Sequence, residues 1–434
     1  METSEALKQL AARGVTTTFT GYDRTEDQSV ILALLTDDGA VNQVSEGQRV
    51  ELVCERTPFY GEAGGQVGDT GRISGMGFSL EVQNTQKTPG NLLVHVCQVL
   101  QGTVRVGEEV TLSVDKEKRK ATERNHTATH ILHYVLRNIL GDHVKQQGSY
   151  VGPDYFRFDF SHGEALTSEQ ITAVEKQVTE RILQNEDLTD QVTDMDTAIT
   201  EGAMALFGEK YGDEVRMVSI GDYSKELCGG THSHHTGDIG LFKIVGESSV
   251  AAGIRRIEAL TGTGALEYIQ NQEKTLKKTA SLLRAAPQDL AERVQKLLVQ
   301  QKEMEKEIER IKAQAMSRQF AISNQDIREI DGLKVLSQQV KVDSAKDLRV
   351  MLDNLKSQIK SGVIVLGAEA ADGKAMLICG VTEDLTDKYH AGKIIKELSA
   401  KLGGTGGGRP DMAQGGGPNT ENLRETLENV FYIL

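Results

Sequence analysis

Residues 116–141 read KEKRKATERNHTATHILHYVLRNILG, and their periodicity decides the architecture around them. Ala128, Ile131, Leu132, Val135, Leu136 and Ile139 recur at steps of three and four, so from Lys116 an amphipathic helix is expected, ended by Gly141. His126 and His130 stand at i and i+4 on it, which puts both imidazoles on one face, where they can share a metal ion. Upstream, from about Gly14 to Val114, short runs such as SVILALL, QRVELVCE, FSLEVQNT, LLVHVCQVL and EEVTLSV are separated by Gly, Asp and Asn clusters. That all-β pattern suggests a small barrel or sandwich. Inside it lies FYGEAGGQVGDTG (59–71), whose glycines let a tight backbone approach a site closely.

Downstream of the helix, YFRFDF alternates aromatic and charged residues like a strand, and SHGEALTSEQITAVEKQVTERIL places Thr167 three residues before Gln170, a capping-box start for a second helix. This mixed α+β region runs to about Thr261. Between Gly264 and Asn324 the apolar residues thin into a heptad seam: Leu266, Ile269, Leu276, Ala280 and Leu283, then Leu290, Val294, Leu297, Met304, Ile308, Ile311 and Ala315. Pro287 breaks it, so two helices are expected, parting between Ala285 and Gln288. They would form an antiparallel hairpin or a long arm, with one wall of a bundle as the plainer alternative.

The last hundred residues read as a separate α/β unit: a helix near Ala345 to Lys360, strands GVIVLGAEA and KAMLICGV around an Asp-Gly turn, and a helix from Lys388 to Lys401. LGGTGGGRPDMAQGGGPN follows. A flexible linker is the bland reading of that stretch. Against it, Arg409, Pro410, Asp411 and Met412 are residues a solvated linker does not need, and glycine-exposed N–H groups beside Arg409 would cradle phosphate. It lacks the GK[ST] ending of a nucleotide-binding loop.

Composition narrows the function. At 434 residues, 38% hydrophobic and 26% charged, the chain is expected to form several folded domains, and no run approaches the ~18 apolar residues that span a bilayer. METSEALKQLAARG lacks the apolar core of a secretory signal, and four scattered cysteines do not form a secreted disulfide framework, so a cytoplasmic protein is expected. A net charge of −14 argues against indiscriminate nucleic-acid binding, so any RNA contact must be local. From Asp331 onward 13 basic residues face 14 acidic ones, which makes this the less repulsive part.

Cys228 and His232 in CGGTH repeat the i, i+4 separation across a glycine turn, and three imidazoles with one thiolate suit tetrahedral zinc. Either pair alone is a weak signal, since such residues are more often solvated or structural. Both in one chain point to a shared zinc site of His126, His130, Cys228 and His232. His133, His143, His162, His234 and His235 are read as decoys. A metalloprotease needs HExxH, and Thr127 occupies the glutamate position; the deaminase signature is also missing.

HTATHILH, CGGTH, FYGEAGGQVGDTG, TGDIGLFKIVGE, AAGIRRIEALTG and GGGRPDMAQGGG occur in this order and together resemble the alanyl-tRNA synthetase family, over the portion downstream of its aminoacylation and tRNA-recognition domains. The resemblance covers essentially the whole chain and extends to free-standing editing proteins of that family. It implies a multidomain α+β protein: a β-barrel over 1–114, a zinc-containing editing domain over 115–262, a coiled-coil arm over 263–330 and a C-terminal α/β domain for tRNA binding or dimerisation over 331–434. It also implies hydrolysis of Ser or Gly wrongly attached to tRNA(Ala), with Zn2+ on the four ligands and a homodimer through the C-terminal region. Gln146 matches the family position whose amide handles substrate, with Gln147 beside it as the alternative register, and Thr129 the position that discriminates the substrate hydroxyl. No residues resemble the class II catalytic domain, so ATP-dependent charging is not expected.

Ester hydrolysis needs an activated water, a group facing the carbonyl and a pocket that excludes alanine. Four protein ligands make a closed shell, usual for structural zinc, so whether the metal is catalytic or structural stays open. Arg409, flanked by Lys393, Lys396 and Lys401, is the expected phosphate site for tRNA, and the resemblance of this tail to certain phosphoesterase C-terminal domains supports nucleic-acid contact; Lys393 and Lys396 share a helix face. Three classes compete at this stage: an editing hydrolase acting in trans, part of an alanine–tRNA ligase without its charging domain, and a tRNA-binding or dimerisation module with inert zinc.

Overall fold

The structure, a computed structural model, describes residues 5–204, 212, 214–319, 327–342, 344–370 and 373–434. Contacts divide the chain into two compact units, Met1–Thr279 and Ala280–Leu434. Among the described residues no helix is long and apolar enough to cross a membrane.

In the first unit the expected barrel closes. Antiparallel strands Glu26–Thr36, Arg49–Cys54, Leu93–Gln101, Phe78–Lys87, Gly71–Gly75 and Glu109–Val114 pair in that order, and the last returns to the first through Glu109↔Val30 to Ser113↔Glu26. Closure removes the sheet edges and turns alternate residues inward. Ile31, Leu34, Leu52, Ile73, Leu80 and Leu112 fill the interior. Register shifts at Ile31/Ala33 and Val82/Asn84 supply the bends that closure requires.

The helix expected from Lys116 spans Lys116–Leu140. Asp115 caps its start by accepting from the Lys118 N–H at 3.1 Å, and Gly141, at φ 116°, ends it with its N–H on the Arg137 carbonyl at 2.9 Å. Its apolar face lies on a four-stranded antiparallel sheet ordered Gln146–Val151, Phe156–Ser161, Ile254–Thr261 and Phe242–Ala251. Phe156, Phe158 and Phe160 fall at alternate positions of one strand and pack under Ile131, Leu132, Val135 and Leu136. The second helix, Ser168–Leu183, carries the expected capping box of Thr167 and Gln170. A smaller sheet, Leu188–Asp194, Glu214–Ile220 and Ser224–Leu227, brings in the CGGTH segment.

A buried ion pair ties barrel to helix. Arg119, 1% exposed, donates to both carboxylate oxygens of Asp69 and to the Gly21 and Pro58 carbonyls at 2.7 Å. Asp69 in turn accepts from the Tyr60 N–H at 2.7 Å, so the glycine-rich 59–71 segment is clamped against the helix that carries the histidines. The helix Gly262–Leu282 closes this unit.

In the second unit Pro287 opens a 3-10 turn, Pro287–Asp289, ahead of the helix Leu290–Gln319, so the helix break lies where proline placed it. Val294, Met304, Ile308 and Ile311 of the expected seam are exposed. The side chain of Ala315, Asn324 and Asp372 of the Asp-Gly turn lie outside the described residues. Six strands follow, ordered Ile327–Ile330, Leu333–Gln339, Val363–Glu369, Ala375–Val381, Met412–Gly417 and Thr405–Gly408. The helix Ala345–Ile359 is the crossover between the parallel pair Leu333–Gln339 and Val363–Glu369. The run VIVLGA (363–368) is apolar throughout because both its faces are covered, Val363 and Val365 on one side, Ile364 and Leu366 on the other. The helix expected from Lys388 begins at Ala391.

The glycine-rich tail is not a flexible linker: Gly406 and Gly415 face each other in a paired hairpin at the edge of the sheet. A Cβ on Gly415 would lie 2.2 Å from Ser399 Oγ, and one on Gly406 2.5 Å from Ile395 Cγ2. Glycine is needed there so that the helix Ala391–Lys401 can rest directly on the hairpin.

Candidate functional site

The four expected ligands converge. From the helix come His126 and His130, both buried, their rings stacked 5.2 Å apart. Cys228 Sγ lies 3.4 Å from His126 Nε2 and 3.3 Å from His232 Nε2. All four ligand atoms fall within 4.8 Å of one another, a group that could hold a metal ion. The donor chemistry fits zinc, and so does an orphan: His130 Nε2 is buried with no hydrogen-bond partner among the described residues, an arrangement that costs stability unless something binds there.

Each imidazole is held by its other nitrogen. His126 Nδ1 donates to Gln66 Oε1 at 2.8 Å, His130 Nδ1 to Glu226 Oε2 at 2.5 Å, and His232 Nδ1 sits 3.3 Å from Thr127 Oγ1. At His126 and His130, where the partner can only accept, this fixes the Nδ1–H tautomer and leaves Nε2 for the site. Gln66 is itself immobilised by the Thr231 N–H at 2.9 Å and by its own Nε2 donating to Thr231 Oγ1 at 2.9 Å. Burial opposes charge on the Cys228 thiol, but the His126 and His232 rings outweigh it and hold it well below the ordinary thiol range. Burial likewise works against the Glu226 carboxylate, yet His130 and His133 bring it down to about 2.

Gln66 and Glu226 are the residues that sequence reasoning missed. Gln66 lay in a segment already singled out for its glycines. Glu226 stands two positions before Cys228, and strand alternation was its only signal. His133 lies outside the four-residue group, yet it is not idle: buried, it donates through Nδ1 to Glu226 Oε1 at 2.9 Å, so one carboxylate spans His130 and its neighbour. The other histidines make contacts of their own. His143 and His162 pair with each other at 2.9 Å, and His235 faces Asp187. Glu226→Gln, which keeps shape but leaves one imidazole facing an amide N–H, is expected to weaken metal affinity roughly 10- to 100-fold, read by competition with a chromogenic chelator.

Arg216 was also missed. It donates to the Cys228 carbonyl at 3.1 Å, the Gly230 carbonyl at 2.8 Å and Asp190 at 2.9 Å, while its guanidinium lies 4.1 Å from the centre of the Tyr22 ring. Tyr22 Oη donates to the Gly229 carbonyl at 2.8 Å, which joins the barrel to the CGGTH turn. A pocket of about 760 Å³ opens beside this group, lined by His126, His130 and Cys228 together with Thr129, Gln146, Ser149 and Arg216. Thr129 Oγ1 donates to the Asn125 carbonyl at 2.8 Å, which leaves its lone pairs to accept. Gln146 Nε2 lies 3.4 Å from Ser149 Oγ. In the second unit Lys393, Lys396 and Lys401 are exposed on one helix, and Arg409, also exposed, pairs with Asp411 at 3.2 Å.

Residues 1–118 match a family model described as tRNA synthetases class II (A), 215–258 the second additional domain of threonyl and alanyl tRNA synthetases, and 332–434 the DHHA1 domain. The first match stands beside the expectation that nothing resembles a class II catalytic domain; its residues fold as the barrel and the first turn of the histidine helix. Alanine–tRNA ligase of Desulfosudis oleivorans is 47% identical over 98% of this chain and 49% of its own length. That of Chelativorans sp. is 46% identical over 95% of this chain and 48% of its own. The crystal structure of the C-Ala domain from Aquifex aeolicus alanyl-tRNA synthetase is 27% identical over 25% of this chain and 96% of that one, with a TM-score of 0.24. The chain spans about half the length of the curated relatives it matches. With three family models in order along it and ligases aligned over nearly all its residues, the chain belongs to the alanine–tRNA ligase family.

Proposed function

We propose that the chain removes serine or glycine wrongly esterified to tRNA(Ala), by hydrolysis at a zinc site of His126, His130, Cys228 and His232, in the cytoplasm. The observation that carries this reading is one pocket lined by ligand side chains, by Thr129 and by Gln146. A zinc ion there would polarise the ester carbonyl or orient the substrate amine. Thr129, whose hydroxyl proton is committed to Asn125, presents an acceptor suited to a serine hydroxyl; an alanine methyl leaves it unpaired in a buried wall. Gln146, at the start of the strand Gln146–Val151, offers an amide donor and acceptor to the same pocket. We keep the four-part division at 114, 262 and 330, with the helical arm between the hydrolytic and C-terminal domains.

Release of serine and of alanine from charged tRNA(Ala), measured without ATP, tests the selectivity. Thr129→Val keeps shape and removes the acceptor, so the preference for the seryl ester is expected to shrink by about 1 kcal/mol, roughly fivefold, with zinc content unchanged. An unaltered ratio would remove Thr129 from recognition.

Lys393, Lys396, Lys401 and Arg409 are proposed to meet tRNA phosphates, and the same domain to carry any homodimer contact. Deleting residues 331–434 is expected to weaken tRNA binding and flatten its salt dependence while zinc content persists. Undiminished tRNA affinity would assign the domain to dimerisation alone. A second reading, the same site acting within an alanine–tRNA ligase, is favoured by the ligases that match over half their length.

A further inference from the structure

The pocket is much larger than the group it would hydrolyse. About 760 Å³ lies in the range, roughly 300–1,000 Å³, that buries a drug-sized ligand, whereas a seryl group is a handful of atoms. His126, His130, Cys228, Thr129 and Gln146 line one part. The rest of the wall is contributed by the barrel, which places Phe19, Tyr60, Leu93 and Lys87 on it.

These residues form a recognisable surface. Phe19 is half-buried and meets Tyr22 and Tyr60 at ring-centroid distances of 4.9 and 6.0 Å, both edge-to-face. Tyr22 fastens this aromatic cluster to the CGGTH turn through the Gly229 carbonyl, so the two parts of the pocket share one wall. Lys87 is exposed and pairs with no carboxylate among the described residues. An aromatic ring beside an unpaired cation at the wall of a pocket is the combination that binds single-stranded nucleic acid, the ring taking a base and the cation a phosphate.

We infer that the barrel side of the pocket is the subsite for the terminal nucleoside of the acylated RNA, its base stacked on Phe19 and the phosphate before it held by Lys87. The inference rests on the hydrolytic reading for the identity of the ligand. It gives the barrel a role that the zinc ligands do not supply: it takes the nucleoside, so that the ester it carries lies in the part lined by Thr129.

Binding of a labelled CCA trinucleotide, the unacylated 3′ end of tRNA, to the zinc-replete full chain by equilibrium dialysis tests it directly. Phe19→Ala is expected to weaken binding roughly 5- to 150-fold, with Phe19→Trp retaining it. Lys87→Ala is expected to lower affinity and reduce the slope of log affinity against log salt by about 0.7. Zinc content and circular dichroism, unchanged in each variant, separate a lost contact from a lost fold. Equal affinity of Phe19→Ala and wild type, or no binding of the trinucleotide by wild type, overturns the subsite. Seryl-tRNA hydrolysis measured in parallel keeps the two claims apart: binding through Phe19 without hydrolysis by wild type supports the subsite and refutes the hydrolytic reading.

Discussion

Cys228→Ala is expected to yield protein without stoichiometric zinc and with a markedly lower thermal transition. The thiolate is the single anionic donor among the four ligands, and without it three imidazoles remain, two of them buried, converging on a position that no other donor among the described residues fills. A metal present at about a thousand times its dissociation constant stabilises the folded state by roughly 4 kcal/mol. At about 2–4 °C per kcal/mol for a unit of this size, the transition falls by roughly 8–16 °C. Elemental analysis and calorimetry read both effects, and wild type stripped by chelator is expected to melt near the variant. A variant that keeps one zinc per chain would exclude Cys228 from the ligand set.

Gly230→Ala is expected to damage the site without touching any donor atom. A Cβ at that position would lie 2.0 Å from His126 Cε1, 2.4 Å from its Nδ1 and 2.7 Å from Gln66 Oε1. The ring must swing away, which breaks its hydrogen bond to Gln66 and turns Nε2 off the site. Zinc affinity is expected to drop by a factor on the order of 100, the upper end of what loss of an orienting partner costs. Gly229→Ala is the control, because a Cβ there meets nothing within 4 Å. Competition with a chelator of known affinity reads both, and equal losses in the two variants would mean that general loosening of the turn, not the contact with His126, governs the site.

The ligands were legible because each pair is local: His126 with His130 and Cys228 with His232 announce themselves by spacing alone. Their supports were not. Gln66 reaches His126 across 60 residues and Glu226 reaches His130 across 96, and neither type carries a periodic signature that links it to a distant ring. His133 was set aside for the same reason, since its role exists only through Glu226. Helix starts and stops followed from capping chemistry at Thr167, Gly141 and Pro287, where the determinant is within a few residues. The closing pair of the barrel joins strands some eighty residues apart, so the strand pattern alone left barrel and sandwich equivalent and only the family resemblance chose between them. In the tail the sequence could not say what approaches the glycines, because glycine marks close approach of any kind. At Gly406 and Gly415 the approaching group is a helix of the same domain.

The central claim is that this zinc-dependent pocket deacylates serine in preference to alanine. Zinc-replete chain is incubated with seryl-tRNA(Ala) and with alanyl-tRNA(Ala), without ATP, before and after metal stripping and zinc restoration. The account requires fast release of serine, slow release of alanine, loss of the first on stripping and recovery with zinc. Equal release of both amino acids by the zinc-replete protein, or release of neither, would contradict it.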